Sequence, residues 1–356
     1  MKKLSVILFL FVIWNSNSQE LEKYKGLYPN AVFVRLQQEI VITIKLNDGN
    51  FTITKDIFEE DLYLNESANY NSKKSLSYSS FFDLGKIEAS SLSYDGKKYS
   101  ETKVTEFSKK NDLNDSFYDD SKEVSFIYPK LAKGSKTNLK LTYNIKNPRF
   151  LSAFFFGDFY PVINNKITII ADKDITLKFK EFNTEKGQID FQKKKKGRNN
   201  IYTWSNKNTN KYDIEGNAPN YKSILPHIIP IITSYKVKKE EKKLLDGVDG
   251  LYEWYYSLVE NINKDEDDQE LVDLVKELTQ DKTSDLEKVK AIYYWTQQNI
   301  KYIAFEYALG GFIPREANDV FKKKYGDCKD NSSILYKMLE IAGLEGNLTW
   351  IGTRSI

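Results

Sequence analysis

The run that could carry chemistry in this 356-residue sequence is Tyr325-Gly326-Asp327-Cys328-Lys329-Asp330. Cys328 is the only cysteine, so no internal disulfide can form. A lone thiol in an oxidising compartment is a liability unless it has a function or is buried and inert. The residues after it, Ile334, Leu335, Met338, Leu339 and Ala342, recur at helical spacing and stop at Gly343, which sets Cys328 at the opening of a helix. Free backbone N–H groups and the positive end of the helix dipole favour a thiolate there. Gly326 allows a close approach without a Cβ. A thiolate so placed suits attack on a carbonyl carbon, with its own N–H helping to hold the oxyanion. Asp327 and Asp330 act against the thiolate, which raises the need for a protonated histidine beside it.

The one histidine, His227, precedes Cys328 by 101 residues. Flanked by Leu225, Pro226 and Ile228, it reads as part of a linker rather than as a catalytic partner. Arg315 offers either a carboxylate-binding group or a structural pairing with Asp319 or Glu316, the second being the simpler expectation. Lys193 to Lys196 form a basic run whose simplest reading is a solvated hairpin tip. No phosphate loop, zinc spacing or paired-carboxylate signature stands out, so no cofactor and no metal is expected.

The elements that must position Cys328 come in two styles. From about residue 31 to 235 the pattern is that of antiparallel β-structure. Ile40, Ile42, Ile44 and Leu46 alternate with polar residues, Val41 excepted, and period two marks a strand. Asp48-Gly49 and Asp95-Gly96 separate alternating runs, as hairpin turns with positive φ require. The alternation continues through Val124, Phe126 and Tyr128, then Leu139 to Ile145, then Ile167 to Phe179. Many short strands with turn signals predict an all-β sandwich. Asn206 to Asn220 reads as a loop or edge, and Ser223 to Pro230, with two prolines, as the connection out of the sandwich. From about residue 244 the period becomes helical. Leu251, Trp254, Tyr255, Leu258 and Ile262 share one face, and Leu271, Leu274, Val275 and Leu278 a second. Ser284 with Glu287 makes a capping box for a third helix lined by Val289, Ile292, Tyr293 and Ile300. Leu348 to Ile351 reads as a strand. The boundary near residues 235–245 divides the chain into 19–240 and 241–356.

Residues 1–18 carry Lys2 and Lys3, an apolar run from Leu4 to Trp14, and the small residues Ser16 and Ser18 before Gln19. That is the pattern of a cleavable secretory signal cut between Ser18 and Gln19, and it predicts a periplasmic or extracellular protein. No later stretch is apolar for long enough to be transmembrane. The net charge is +3, and loss of Lys2 and Lys3 with the signal brings it nearer zero, which gives no electrostatic case for nucleic acid.

Ser284 to Ile300, Pro314-Arg315 with Ala317 and Val320, and the Cys328 run with Ser332, Ser333, Leu335, Leu339 and Gly343 together resemble the transglutaminase-like superfamily. Tyr28-Pro29 with Ala31-Val32, and Phe126-Ile127-Tyr128-Pro129 with Gly134-Ser135, are similar to the N-terminal β-sandwich of unknown function found in exported bacterial members. The resemblance implies a papain-like α+β domain with a Cys-His-Asp triad, in which Cys328 matches the nucleophile. It implies that the histidine and aspartate lie on strands after the cysteine helix. Nothing between Cys328 and Ile356 matches them, so the domain is expected to be incomplete here and this chain alone inactive. Some family members place an aromatic donor near the oxyanion, but Trp295 is expected in the core. Some use calcium, but Asp265 to Asp268 lacks the glycine and glutamate of an EF-hand loop and reads as a solvated turn.

These observations predict a two-domain chain, an all-β sandwich followed by an incomplete transglutaminase-like α+β domain. Its expected activity, once complete, is acyl transfer at amide bonds of a protein or peptide substrate. The alternative is a non-catalytic binding or scaffold protein of the cell envelope on the same fold.

Overall fold

The computed structural model describes residues 19–111, 117–213 and 219–352. The secretory signal read at 1–18 lies outside them. The chain forms two compact units, one from residues up to Lys110 and from Glu123 to Asp246, the other from Asn111–Lys122 and from Gly247 onward. Among the described residues no helix is long and apolar enough to cross a membrane.

The first unit opens with helix α1 (residues 19–27). Strands β1 (Phe33–Asn47), β2 (Asn50–Tyr63), β3 (Lys73–Tyr78), β4 (Phe82–Tyr94), β5 (Tyr99–Lys103) and β6 (Ser108–Asn111) follow. After β7 (Phe117–Asp119), which belongs to the other unit, come β8 (Lys122–Ile127), β9 (Lys136–Ile145), β10 (Phe154–Phe155), β11 (Val162–Asp172) and β12 (Ile175–Phe182). The unit closes with β13 (Asp190–Lys196), β14 (Asn199–Thr209), the short helix α2 (Tyr221–Ile224), β15 (His227–Val237) and β16 (Glu240–Lys243).

One eight-stranded sheet, in the order β13-β14-β11-β1-β2-β9-β4-β5, organises this unit. The alternation read in β1 sets its inward face. Ile40, Ile42 and Ile44 are buried and stand opposite Ile57, Lys55 and Ile53 of β2. At the β1–β2 turn both Asp48 (φ 48°) and Gly49 (φ 86°) take positive φ, as the Asp-Gly pair predicts. Part of the inward face packs on the sheet of β10, β15, β12 and β16, through Phe154, Phe156, Ile228 and Ile232. Another part, around Leu139 and Leu141, packs on Leu76 and Phe126 of the β3-β8-β6 sheet. The same face holds a buried ionic group. Arg35 bonds Asp61 at 2.7 Å and Glu59 at 2.9 Å, Lys74 reaches Glu59 at 2.8 Å, and the guanidinium lies 4.7 Å from the Tyr160 ring centre. Charges in such a setting persist only when paired.

Three expectations need correction here. The sheet is mixed, because β1 runs parallel to β11; period two fixes which face a residue takes but not the direction of its neighbour. Ser223 to Pro230 does not leave the sandwich: β15 starts at His227 and pairs with β12 from His227 to Tyr235. Asn206 to Thr209 end strand β14 as an edge that pairs β11 alone, because β13 stops opposite Ser205, in keeping with the loop-or-edge reading. The four lysines form exposed edge strand β13 rather than a tip, and lysine there discourages edge-to-edge association.

The second unit is mainly helical. It comprises α3 (Gly247–Val259), α4 (Gln269–Thr279), α5 (Asp285–Asn299), β17 (Lys301–Tyr302), β18 (Ala304–Glu306), α6 (Ala317–Lys323), β19 (Tyr325–Gly326) and α7 (Cys328–Ile341). Leu271 and Val275 of α4, Ile292 of α5, Val320 of α6, and Ile334 and Met338 of α7 form its core. Ser284 and Glu287 make the expected capping box of α5. Val289 and Tyr293, expected to line that helix, are instead exposed, at 37% and 49%; the inward stripe runs through Ile292 and Thr296. Leu348 to Ile351 forms no strand, having no partner strand among the described residues. Trp350 packs instead on Trp254 and Tyr255 of α3. Strand β7 pairs in parallel with β18, Phe305 opposite Tyr118.

Candidate functional site

Cys328 is the first residue of α7 and is exposed. Its position is set by the turn before it. Asp327 is the N-cap, and its carboxylate accepts from the N–H groups of Lys329 (3.1 Å) and Asp330 (3.3 Å). Asp330 returns the bond, accepting the Asp327 N–H at 3.2 Å. This reciprocal cap satisfies donors that a helix start leaves open.

The two carboxylates expected to oppose a thiolate are committed to other partners. Asp330, 1% exposed, receives the Arg315 backbone N–H at 2.9 Å and side-chain Nε at 3.0 Å. Asp327, fully buried, pairs with the Lys329 ammonium. Arg315 also donates to the Tyr325 carbonyl at 2.7 Å and stacks on the Tyr325 ring at 4.8 Å. Its structural role extends to Asp319 at 3.6 Å, as expected, but its chief partner is Asp330. Glu316 instead accepts the Asn263 N–H. Asn263 in turn donates to Ser333 of α7 and accepts from Ala317 of α6, tying both helices to the chain before α4.

Gly326 is needed for space. A Cβ there would meet the Asp330 Cβ at 2.6 Å and the Arg315 guanidinium at 3.2 Å. The Gly326 carbonyl accepts from Asn331 Nδ2 at 3.1 Å, and that amide also reaches the Asp327 carbonyl at 2.8 Å.

One residue near the thiol has no signature in the sequence. The parallel pair β17–β19 sets Tyr302 opposite Gly326, two residues before Cys328. Partial burial, then the Cys328 sulfur and the Asp327 carboxylate, raise the Tyr302 phenol above its ordinary value. The strands that bring the two together are two residues each, too short to show a period.

The other candidates fall into structural roles. Trp295 packs at the edge of the helical core, 6.0 Å from Phe321, with the Lys324 ammonium over its ring. Asp268 caps α4 and pairs with Lys322, and Asp267 pairs with Lys337. His227 belongs to the first unit. It is buried at the start of β15 rather than in a linker, stacked on Phe182 and beside Phe155, with Nδ1 2.8 Å from the Leu225 carbonyl. Apolar neighbours on both sides made the segment a strand despite its prolines.

Residues 272–348, which hold this site, match the transglutaminase-like superfamily, and residues 63–212 match DUF3857, a domain of unknown function. The chain thus joins a DUF3857 segment to a transglutaminase-like one. Among solved structures it is similar to a protein of Parabacteroides distasonis provisionally named a protease, with TM-score 0.66 and 16% identity over 88% of this chain. That likeness is one of fold, and the match takes in 59% of the other chain. Similarity to an M1 zinc metallopeptidase of Deinococcus radiodurans is weaker, with 8% identity, TM-score 0.28, and 60% and 46% of the two chains covered. The same holds for leukotriene A4 hydrolase of Saccharomyces cerevisiae, with 10% identity, TM-score 0.30, and 69% and 35% covered. Scores that low carry no inference. No curated protein matches the chain.

Proposed function

We propose that this chain belongs to an exported cysteine acyl-transfer protein acting on amide bonds of proteins or peptides, with Cys328 as the nucleophile. The observation that supports this most is an exposed thiol at the first position of a helix whose N-terminus is locked by Asp327, Asp330 and Arg315. The sulfur would attack the substrate carbonyl, forming a C–S bond while the amine leaves with a proton. Water or a second amine would then take the acyl group from the thioester. The base of the family triad is a histidine. His227, the only histidine here, is held between aromatic rings in the first unit, so the proposal concerns the thiol half of the reaction. The pattern of residues 1–18 supports export to the periplasm or beyond.

A p-nitrophenyl ester of a short acylated peptide tests the nucleophile directly, because nitrophenolate leaves without a proton from the protein. Mass spectrometry should find the acyl group on the peptide containing Cys328, and Cys328→Ala should lose it. A folded protein whose Cys328 stays unacylated sinks the enzymatic reading and favours a binding module on the same fold.

A further inference from the structure

The basic run Lys193 to Lys196 carries more charge than edge protection requires. All seven residues of β13 are exposed, and the strand forms one edge of the eight-stranded sheet. Its neighbour β14 has no acidic residue, and Lys193 to Lys196 stand opposite Tyr202, Ile201, Asn200 and Asn199. Among the described residues none of the four lysines has an ion-pair partner, and Lys193 rests over the Tyr202 ring at 5.3 Å. At the end of the β13–β14 hairpin, Asp172 and Asp174 turn instead to Arg198, at 3.5 Å and 3.0 Å. The Lys173 N–H donates to the Arg198 carbonyl at 2.6 Å, which adds the exposed Lys173 to the same end. Lysines two residues apart on a strand are separated by about 7 Å, inside the screening length at physiological salt, so the row repels itself. A single charge blunts an edge; four in succession with no counter-charge call for an external one.

We propose that β13 is a docking edge for an anionic lipid surface, with Lys173 and Lys193 to Lys196 meeting the headgroup phosphates. This inference is independent of the reading of Cys328 as a nucleophile. Charge complementarity selects the partner. Side chains alternate across the strand, so Lys193 and Lys195 take one side and Lys194 and Lys196 the other. A plane of headgroups meets both rows at once, whereas a single anionic polymer chain follows one. The half-exposed Phe191 stands opposite Trp204, on the same side as Lys193 and Lys195, and an aromatic beside a basic row suits the headgroup level of a bilayer. The net charge of the whole chain is only +3, so the attraction is local to this edge. Each lysine brought to an anionic leaflet adds to the binding.

The test is co-sedimentation with phosphatidylcholine vesicles made with and without phosphatidylglycerol. The whole chain is used throughout, so that residues 1–18 contribute equally in every case. The unsubstituted chain should prefer the phosphatidylglycerol vesicles and lose that preference as salt rises from about 0.05 M to about 0.5 M. Lys194→Gln with Lys196→Gln should weaken binding about twentyfold, since each lysine near an anionic surface is worth about fivefold. Lys97→Gln with Lys98→Gln removes the same charge at the exposed turn between β4 and β5 and should weaken binding by less than about threefold, a change in net charge alone. Removing lysine from an edge strand can also make the protein associate with itself. Lys194→Glu with Lys196→Glu keeps the edge charged, and its binding should fall to the level seen with phosphatidylcholine alone. Equal binding of the unsubstituted chain to the two vesicle types overturns the proposal, as do equal losses in the β13 and turn variants. Binding to soluble polyphosphate without binding to vesicles also overturns it and marks a polymer site instead.

Discussion

Arg315 and Asp330 form a two-point contact in which the backbone N–H of Arg315 takes one carboxylate oxygen at 2.9 Å and its guanidinium takes the other at 3.0 Å. The same carboxylate closes the cap of α7 through the Asp327 N–H. One arginine thus fixes the helix start that carries Cys328. Because Asp330 is 1% exposed, Arg315→Ala would leave a buried carboxylate with half its partners. The expected cost is about 3–5 kcal/mol of stability in the helical unit. Arg315→Lys should recover only part of it, because an ammonium cannot reproduce the planar fork. Urea unfolding followed by tryptophan fluorescence measures both, and equal stability of Ala and Lys variants would refute the geometric part of the argument.

Gly326→Ala tests the same turn from the other side. Its Cβ would come within 2.6 Å of the Asp330 Cβ, and the cap cannot retreat without breaking the Arg315 contact. A loss of about 1–3 kcal/mol is expected, as for overpacking elsewhere. Alkylation of Cys328 should also change, because Gly326 lies two residues before it in the turn that opens α7. A melting temperature within error of the parent would show that the turn yields freely.

The parts of this arrangement differed in how far the sequence disclosed them. Ile40, Ile42 and Ile44 announced a strand and its buried face, because side chains alternate across a pleat. Ser284 and Glu287 announced a helix start through local bonds alone. Cys328 was legible because the helical period begins directly after it. Strand β15 was hidden by Pro226 and Pro230. Pro230 stands opposite Phe179, in a stretch that neither β10 nor β16 pairs, where a residue without an N–H is tolerated. The Arg315–Asp330 pair spans 15 residues, and Tyr302 comes opposite Gly326 only through tertiary registration. Neither distance is encoded in a local period. The exposure of Val289 and Tyr293 shows the same limit, since apolar spacing marks a stripe without saying whether a neighbour covers it.

Strand β7 supplies another prediction. It is encoded within the span that matches DUF3857, yet it pairs with β18 in the helical unit. Asp120, next to it, accepts the Ala308 N–H at 3.4 Å. Proline at position 118, opposite Phe305, fixes φ and removes a backbone donor. Tyr118→Pro should therefore speed amide hydrogen exchange at Ala304 to Glu306 by about tenfold or more, the effect of losing roughly 1.4 kcal/mol of local protection. The α4, α5 and α7 amides should keep their protection. Uniform loss across the helical core would mean that β7 supports the whole unit rather than the β18 segment.

Acid should expose the ionic group inside the sandwich. Burial pushes the Glu59 carboxyl up, but the charges of Arg35 and Lys74 outweigh it and hold it below its ordinary value. A carboxylate depressed in the folded state contributes stability above its unfolded value, near 4.3 for glutamate, and that contribution fades as pH falls through the folded value. Glu59→Gln cannot titrate and leaves Arg35 with Asp61 as its remaining ion-pair partner. At neutral pH the variant should be less stable by about 1–3 kcal/mol, the cost of unpairing part of a buried charge. Below about pH 4 the parent loses the same contribution and the gap should close. Unfolding free energies of both proteins between neutral and acid pH decide the matter, and a gap that stays constant with pH would show that Glu59 acts through packing rather than charge.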